Sequence, residues 1–332
     1  MKVSINLVTW NGKKYLPYCL DSIAKQTFHD FSLFILDNGS TDGTVEYLRN
    51  SLLPVSNCRL EFNEENIGFA AGQNQALRET ESDYVLMLNQ DIILEPNFLE
   101  EIIKFLDGHG EVAAVTGKLL YWDFTNNQKT DLIDSAGIKI FKNHRAIELG
   151  AGELDLEEWS VSREVFGVSG AASVYRRSAL NGVAINEEVF DEDFFSYKED
   201  LDLSYRLRLA GFKAWFLPAA RAYHDRTARS AAKTDSAAAK TRKNKSAFVN
   251  YHSYKNHLFF LIKDVPAGVW WRYGYRIKWY EFKKFIYLLI FETKTLGGLG
   301  EFLKKFPAIW KKRKWIIKNK KVDVAEIKKW FF

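Results

Sequence analysis

The sequence predicts an α/β fold: a mainly parallel sheet with helices on both faces, then a basic, aromatic helical region. Three observations predict it. Strand-like runs alternate with segments of helical spacing through residues 1–120. Those strands are mainly apolar, Tyr84–Leu88 throughout, as expected of strands buried on both faces. Charge divides along the chain. Residues 1–240 hold 25 Lys and Arg against 36 Asp and Glu, a net −11; residues 241–332 hold 22 against 6, a net +16. Six of the ten Trp lie in that last part, which suggests an acidic body joined to a tail that meets something anionic.

The elements follow in order. Val3–Trp10 reads as a buried strand, and Tyr15–Gln26 as a helix with Pro17 tolerated in its first turn. Phe31–Asp37 is the second strand. The turn Gly39-Ser40-Thr41-Asp42 offers caps to a helix at Thr44–Asn50. A short strand near Arg59–Phe62, a helix over Phe69–Thr80 and a strand over Tyr84–Leu88 come next. Pro96 opens a helix to Leu106, and Val112–Leu120 is another strand. Residues 121–162 are irregular, and Val165–Tyr175 is strand-like with a tight approach at Gly167 and Gly170. Glu199–Ala210 is a helix with Leu201, Tyr205 and Leu209 on one face, and Lys213–Leu217 is a last body strand. Residues 225–246 have almost no apolar bulk and read as a linker or mobile loop. Helices are expected near Val249–Lys263, Val269–Phe291, Gly300–Lys318 and Val324–Phe331. The division this implies is 1–235 and 236–332.

Composition narrows the function. With 47% hydrophobic and 27% charged residues the chain is folded rather than disordered. Cys19 and Cys58 are too few for a disulfide framework or a thiolate cluster. Met1-Lys2 leads straight into a strand rather than a leader, and the apolar run Phe285–Phe291 is too short to span a bilayer. A cytoplasmic protein that touches membrane is expected.

Ligands of open α/β sheets bind beyond the carboxyl ends of the strands. Three polar groups fall there: Thr9-Trp10-Asn11, Asp37-Asn38 and Asn89-Gln90-Asp91. Each alone has a plain reading, as a turn, a cap or a loop carboxylate. Their coincidence in one sheet points to a site. Neither GxGxxG nor GxxxxGK[ST] occurs, so nucleotide phosphates would need another counter-charge. A carboxylate such as Asp91 can hold a divalent cation that supplies it. His224 is a further ligand candidate, although a lone His is more often structural. Between Asp191 and Asp202 lie Glu192, Asp193, Glu199 and Asp200 as well. Helix-dipole compensation accounts for Glu199, Asp200 and Asp202 but not for Asp191 and Asp193. A carboxylate at such a helix start can serve as a general base.

Taken together, these pieces resemble family-2 glycosyltransferases of the GT-A fold. The matching stretches are Val8-Thr9-Trp10-Asn11-Gly12, Ile35 through Thr44, Asn66 through Asn74, Leu88-Asn89-Gln90-Asp91, Gly170 through Arg177, and Phe190 through Arg206. They occur in the family's order over roughly residues 3–225. The nearest flavour is similar to bacterial rhamnosyltransferase-like enzymes of surface polysaccharide assembly. The resemblance implies inverting, hexosyltransferase-type transfer from a nucleotide-diphosphate sugar, dTDP-rhamnose or a UDP-sugar, to a hydroxyl of a glycan or lipid-linked acceptor. It implies that Thr9, Asn11 and Asp37 hold the nucleoside, with Asn66, Gly68 and Asn89 also on the donor side. Asp91 and His224 would bind Mg²⁺ or Mn²⁺. Asp200 would be the base, with Asp191 and Glu199 on the acceptor side. Asn89 stands where the family's metal motif has its first Asp. Residues 182–189 replace the usual glycine-rich approach to Phe190-Asp191-Glu192.

The tail's aromatics sit at helical spacing beside lysines, a pattern that fits an interfacial helix on anionic lipid. The alternative is a helical subdomain packed on the body, and both can hold together. Nucleic acid is not expected as a partner, and oligomerisation is left open. Behind the transferase stand a non-catalytic nucleotide-sugar or polysaccharide binder and a nucleotidyltransferase. Thus the protein is expected at the inner face of a cell membrane.

Overall fold

A computed structural model describes residues 1–51, 55–226, 242–243 and 245–332. Most of the linker expected over 225–246, and the boundary expected after residue 235, fall outside these residues.

The strands are β1 (Val3–Thr9), β2 (Phe31–Asn38), β3 (Cys58–Asn63), β4 (Tyr84–Asn89), β5 (Ile92–Leu94), β6 (Val112–Asp123), β7 (Gln128–Ser135), β8 (Ile138–Ile140), β9 (Ala146–Glu148), β10 (Arg163–Val165), β11 (Ala172–Arg176) and β12 (Lys213–His224). The helices of the body are α1 (Leu16–Ala24), α2 (Thr44–Asn50), α3 (Phe69–Glu79), α4 (Phe98–Asp107), α5 (Arg177–Val183) and α6 (Glu199–Leu209). Four more follow: α7 (Ala247–Lys263), α8 (Ala267–Phe291), α9 (Gly297–Lys318) and α10 (Val324–Lys328).

One sheet carries the body in the order β10-β12-β6-β11-β4-β1-β2-β3, with β5 on β12 and β7 on β6. The β3-β2-β1-β4 half is parallel, and β12 runs parallel to β6. Every residue of β1 is buried, as a double-faced strand requires. Strands β5, β7 and β10 pair antiparallel with their neighbours, and within the sheet β11 lies antiparallel between β4 and β6. Its direction follows from the chain path. Strand β11 enters at the carboxyl edge, where Ala172 pairs with Leu88 of β4, and so runs back against both of its neighbours. The run Ala172–Arg176 has no mark of direction, so sequence reading does not see the reversal.

Helices α7 to α10 are packed on the body. Phe259, Phe260, Ile277, Ile309, Ile316 and Phe331 share one core with Ile138, Ile140, Phe166, Leu201, Tyr205 and Leu209. Helix α6 is therefore buried nearly all round. The apolar residues of α9 divide: Ile309 and Ile316 are buried, while Leu303, Phe306 and Trp310 are exposed.

The charge split closes on itself across this contact. Lys263, fully buried, pairs with Asp191 at 2.5 Å and with Asp202. Lys312 reaches Asp191 at 2.5 Å and Asp193 at 2.9 Å, and Lys305 reaches Asp193 at 2.6 Å. Burial works against the Asp191 charge, but Lys263 and Lys312 hold its carboxyl well below the usual range. Lys263, Lys305 and Lys312 of the tail thus answer the body's own acids. Among the described residues, no helix is long and apolar enough to cross a membrane.

Candidate active site

The carboxyl ends of β1 and β2 form a polar crevice. Thr9 is buried and bonds to Gln90, whose amide also accepts from Trp10 N at 2.9 Å and donates to Trp10 O at 3.1 Å. Asn11 adopts φ 50, and its side chain accepts from Thr41 N at 2.9 Å while its own N–H donates to Ser40 Oγ at 2.8 Å. Asp37 is fully buried. Its Oδ1 accepts from Ser40 N at 2.9 Å, and its Oδ2 has no partner. A buried, unpartnered carboxylate oxygen is costly unless a ligand donor meets it. Asn66 accepts from Asn38 Nδ2 at 3.1 Å and from Gly68 N at 2.9 Å. Gly68 has φ +90, and a Cβ there would lie 2.7 Å from the Phe195 carbonyl oxygen. Its need for glycine is therefore a close backbone approach.

A separate cavity of about 740 Å³ opens beside this crevice. Asn89, Asp91, Glu199, Asp200 and His224 all line it, joined by Glu148 and Arg226. Thr9, Asn11, Asp37, Asn66 and Gly68 do not. Strand register explains the meeting of Asp91 and His224. β12 runs antiparallel to β5 with His224 opposite Ile92, and Asp225 N donates to Asp91 O at 3.1 Å. His224 Nε2 lies 3.4 Å from Asp91 Oδ2, and its Nδ1 lies 2.8 Å from Asp134 Oδ2. Burial opposes an imidazolium here, but Asp91 and Asp134 outweigh it and raise His224 to about 9. Arg226 backs the same group, 3.3 Å from Asp134 and 2.9 Å from Glu148.

One carboxylate and one imidazole nitrogen, once His224 gives up its proton to the incoming cation, would suit Mg²⁺ or Mn²⁺, which leave positions for water and substrate phosphate. The Asp134 contact is the partner a ligating histidine requires on its other nitrogen. No group of three or more His, Cys, Asp or Glu side chains is placed to hold an ion among the described residues. Two protein donors plus substrate oxygens is the set that fits.

At the start of α6, Asp200 Oδ2 accepts from Gly170 N at 3.2 Å and Oδ1 from Leu201 N at 2.7 Å. Glu199 is buried, with Oε2 unpartnered, and burial followed by the Asp200 charge raises it to about 8. The approach to this pair is strained, since Phe195, Tyr197 and Lys198 all have positive φ. Asn256 of α7 holds it. Its amide donates to the carbonyls of Phe194, Ser196 and Tyr197 at 2.8, 2.8 and 2.7 Å.

Asp191, expected on the acceptor side, is not in this cavity. Its oxygens are taken by Lys263 and Lys312, so it anchors the C-terminal helices. Sequence reading also passed over Asp134, Glu148, Arg226 and Asn256. Asp134 and Glu148 lie in the irregular 121–162 stretch, where no spacing marks them. Asn256 sits in a helix whose partner surface was unknown. Only the adjacency of Arg226 to His224 was a usable signal.

Comparison with known proteins gives the family and the fold. The family model for glycosyl transferase family 2 matches residues 4–183. An uncharacterized glycosyltransferase of Haemophilus influenzae is 28% identical over 127 residues, 38% of this chain and 50% of that protein. The poly(ribitol-phosphate) β-N-acetylglucosaminyltransferase TarS of Staphylococcus aureus is 36% identical over 115 residues, 33% of this chain and 19% of that protein. The chain therefore spans half or less of these relatives' length. Among solved structures, S. aureus TarS superposes with a TM-score of 0.50 at 20% identity, over 81% of this chain and 50% of that one. The mannosyltransferase PcManGT of Pyrobaculum calidifontis, in complex with GDP-Man and Mn²⁺, does so with 0.53 at 16%, over 96% and 85%. These likenesses support the mixed α/β, GT-A fold. The family match covers more than half of the sequence, and the chain belongs to glycosyl transferase family 2.

Proposed function

We propose that the protein is an inverting glycosyltransferase of cell-surface glycan assembly. It moves a sugar from a nucleotide-diphosphate donor to a hydroxyl of a glycan or lipid-linked acceptor. One observation carries this reading: Asp91, His224, Glu199 and Asp200 come from three separate chain segments to one cavity beside a polar crevice. The solved relative with GDP-Man and Mn²⁺ and the TarS relative acting on poly(ribitol-phosphate) support the donor and glycan classes. None of the relatives named above is a rhamnosyltransferase by name, so dTDP-rhamnose or a UDP-sugar stands as the proposed donor.

In this reading the crevice of Thr9, Asn11 and Asp37 takes the nucleoside. The unpartnered Asp37 Oδ2 accepts a hydrogen bond from the base. Asp200 removes the proton of the acceptor hydroxyl as its oxygen bonds to the anomeric carbon and the diphosphate leaves from the opposite face. The N–H groups of Gly170 and Leu201 fix the carboxylate for that transfer. Glu199 orients the acceptor. A divalent cation held by Asp91 and His224 would offset the charge of the leaving diphosphate.

The same reading sets the protein peripherally on the anionic inner face of a membrane. Helix α8 supports it with an exposed stripe of Trp271, Tyr275, Trp279, Phe282, Ile286 and Ile290, with Trp271 93% exposed. Arg272, Arg276 and Lys278 are exposed alongside. Aromatic rings flanked by basic side chains match the headgroup boundary.

Asp200→Asn tests the chemistry. Donor binding should persist while turnover falls roughly 10²–10⁴-fold, the range for loss of a general base. Turnover at the wild-type rate would remove Asp200 from that role.

A further inference from the structure

The cavity is lined by charges of both signs. Asp91, Glu148, Glu199 and Asp200 are among its acids. Lys198 ahead of α6, Arg242 and Lys245 ahead of α7, and Lys284 on α8 line it as well. Four cations from three parts of the chain converge there, and the proposed transfer chemistry uses none of them.

Their counter-charges are incomplete. Arg242 is paired twice with Glu292, at 3.0 and 2.6 Å. Lys284 lies 3.7 Å from Glu281, a carboxylate that also binds His257 at 2.9 Å. The Lys198 and Lys245 side chains make no hydrogen bond or ion pair among the described residues, although the charges of Asp200, Glu281 and Glu199 act on Lys198. The cations act on one another. Burial, then Lys198, Arg226 and Arg242, lower Lys245 to about 8. Burial lowers Lys284 to about 8 as well, against the pull of Glu281, and Lys198 and Arg242 add to the fall. Positive charge gathered away from water is unfavourable until an anion arrives to share it.

We propose that Lys198, Arg242, Lys245 and Lys284 form an anion subsite for a phosphate ester or diphosphate carried by the acceptor, beside the hydroxyl that Asp200 activates. The inference rests on the transferase reading of this cavity. The charge balance argues for the acceptor rather than the donor. The nucleoside crevice of Thr9, Asn11 and Asp37 lies outside the cavity, and the donor diphosphate has its own counter-charge in the Asp91–His224 cation site. Lysines act on a diphosphate as point charges, needing no fixed fork geometry. The volume of about 740 Å³ accommodates a phosphate together with a sugar. Helix α8 links the subsite to the surface, since Lys284 faces the cavity while Trp271, Tyr275 and Trp279 of the same helix are exposed.

Two sources carry this chemistry: a lipid-borne diphosphate and a polyol-phosphate polymer. The test is calorimetric titration of inorganic pyrophosphate in the presence of EDTA, so that no metal-held site contributes. Wild type and Asp91→Ala should bind alike, and Lys245→Ala/Lys284→Ala should bind at least tenfold more weakly. Lys245→Glu, at a half-exposed position, should abolish binding and serves as a second variant if the double one is unstable. UDP and dTDP titrated with Mn²⁺ should behave oppositely, unchanged in the double variant and weakened in Asp91→Ala. Failure of that nucleotide arm alone would count against the transferase reading. Pyrophosphate binding unchanged in the lysine variants, or lost equally in Asp91→Ala, would overturn the subsite. Displacement by farnesyl diphosphate ahead of ribitol 5-phosphate assigns the lipid source, and the reverse order assigns the polymer. Displacement by neither overturns the proposal.

Discussion

Glu199 and Asp200 share a helix turn but differ in surroundings. Asp200 accepts two backbone hydrogen bonds, while Glu199 is buried with an unpartnered oxygen and lifted to about 8. A carboxyl whose pKa is higher folded than unfolded holds more protons in the folded state. Its contribution to stability therefore falls as pH rises from its ordinary 4.5 to about 8. Glu199→Gln removes that loss. Thermal melts from pH 5 to 9 should show wild type dropping relative to the variant across this window, and parallel curves would exclude the effect. Legibility at this scale was uneven. Asp91, Asp200 and His224 are marked by ordered motifs, and the structure gathers them around one cavity. Asp134 is invisible in sequence because its role depends on β7 lying beside β6 and β6 beside β12. Asp191 misled for the opposite reason. An acid beside a motif looks functional until its lysine partners, 72 and 121 residues away, are brought to it.

Helix α7 does at the level of elements what no single motif could announce. Asn256 is fully buried and clamps three carbonyls of the strained segment before α6. Asn256→Ala should leave nucleotide affinity intact and lower kcat roughly 10²-fold, the scale of a misplaced catalytic group. A large rise in nucleotide Kd with unchanged kcat would show that the clamp serves the crevice instead. The neighbouring Lys263 is a separate matter. Lys263→Met strands Asp191 and Asp202 in the interior, and removing one partner of a buried pair costs about 3–5 kcal/mol. Urea unfolding measures it, and a loss under 1 kcal/mol would mean that Lys312 and Arg206 compensate. Most elements were legible because buried strands and amphipathic helices declare themselves by period. β5, β7 to β10 and α5 were not, being short or half-exposed, with no periodic stretch long enough to read.

At the scale of the whole molecule, the division into an acidic body and a basic tail has two parts. Lys263, Lys305 and Lys312 neutralise body acids internally, while Arg272, Arg276 and Lys278 remain outside beside the aromatic stripe. Composition shows the total and not this partition. Removing residues 300–332 would therefore damage the core, because Ile309, Ile316 and Phe331 belong to it. Trp271→Ser/Trp279→Ser is the cleaner test of membrane docking. Sedimentation with vesicles rich in anionic lipid should fall at least tenfold, with the melting temperature unchanged, and equal binding would remove the stripe as a docking face. The Asn256 clamp also has a temporal consequence. Asn256 leaves the ribosome 56 residues after Asp200. At usual synthesis rates that is a delay of roughly 3–11 s. Through that interval the crevice strands exist, but the segment presenting Asp200 has nothing to hold it. Under the proposed transferase reading, a nascent chain would bind nucleotide before it could transfer sugar, and one terminated before Asn256 would lack the clamp.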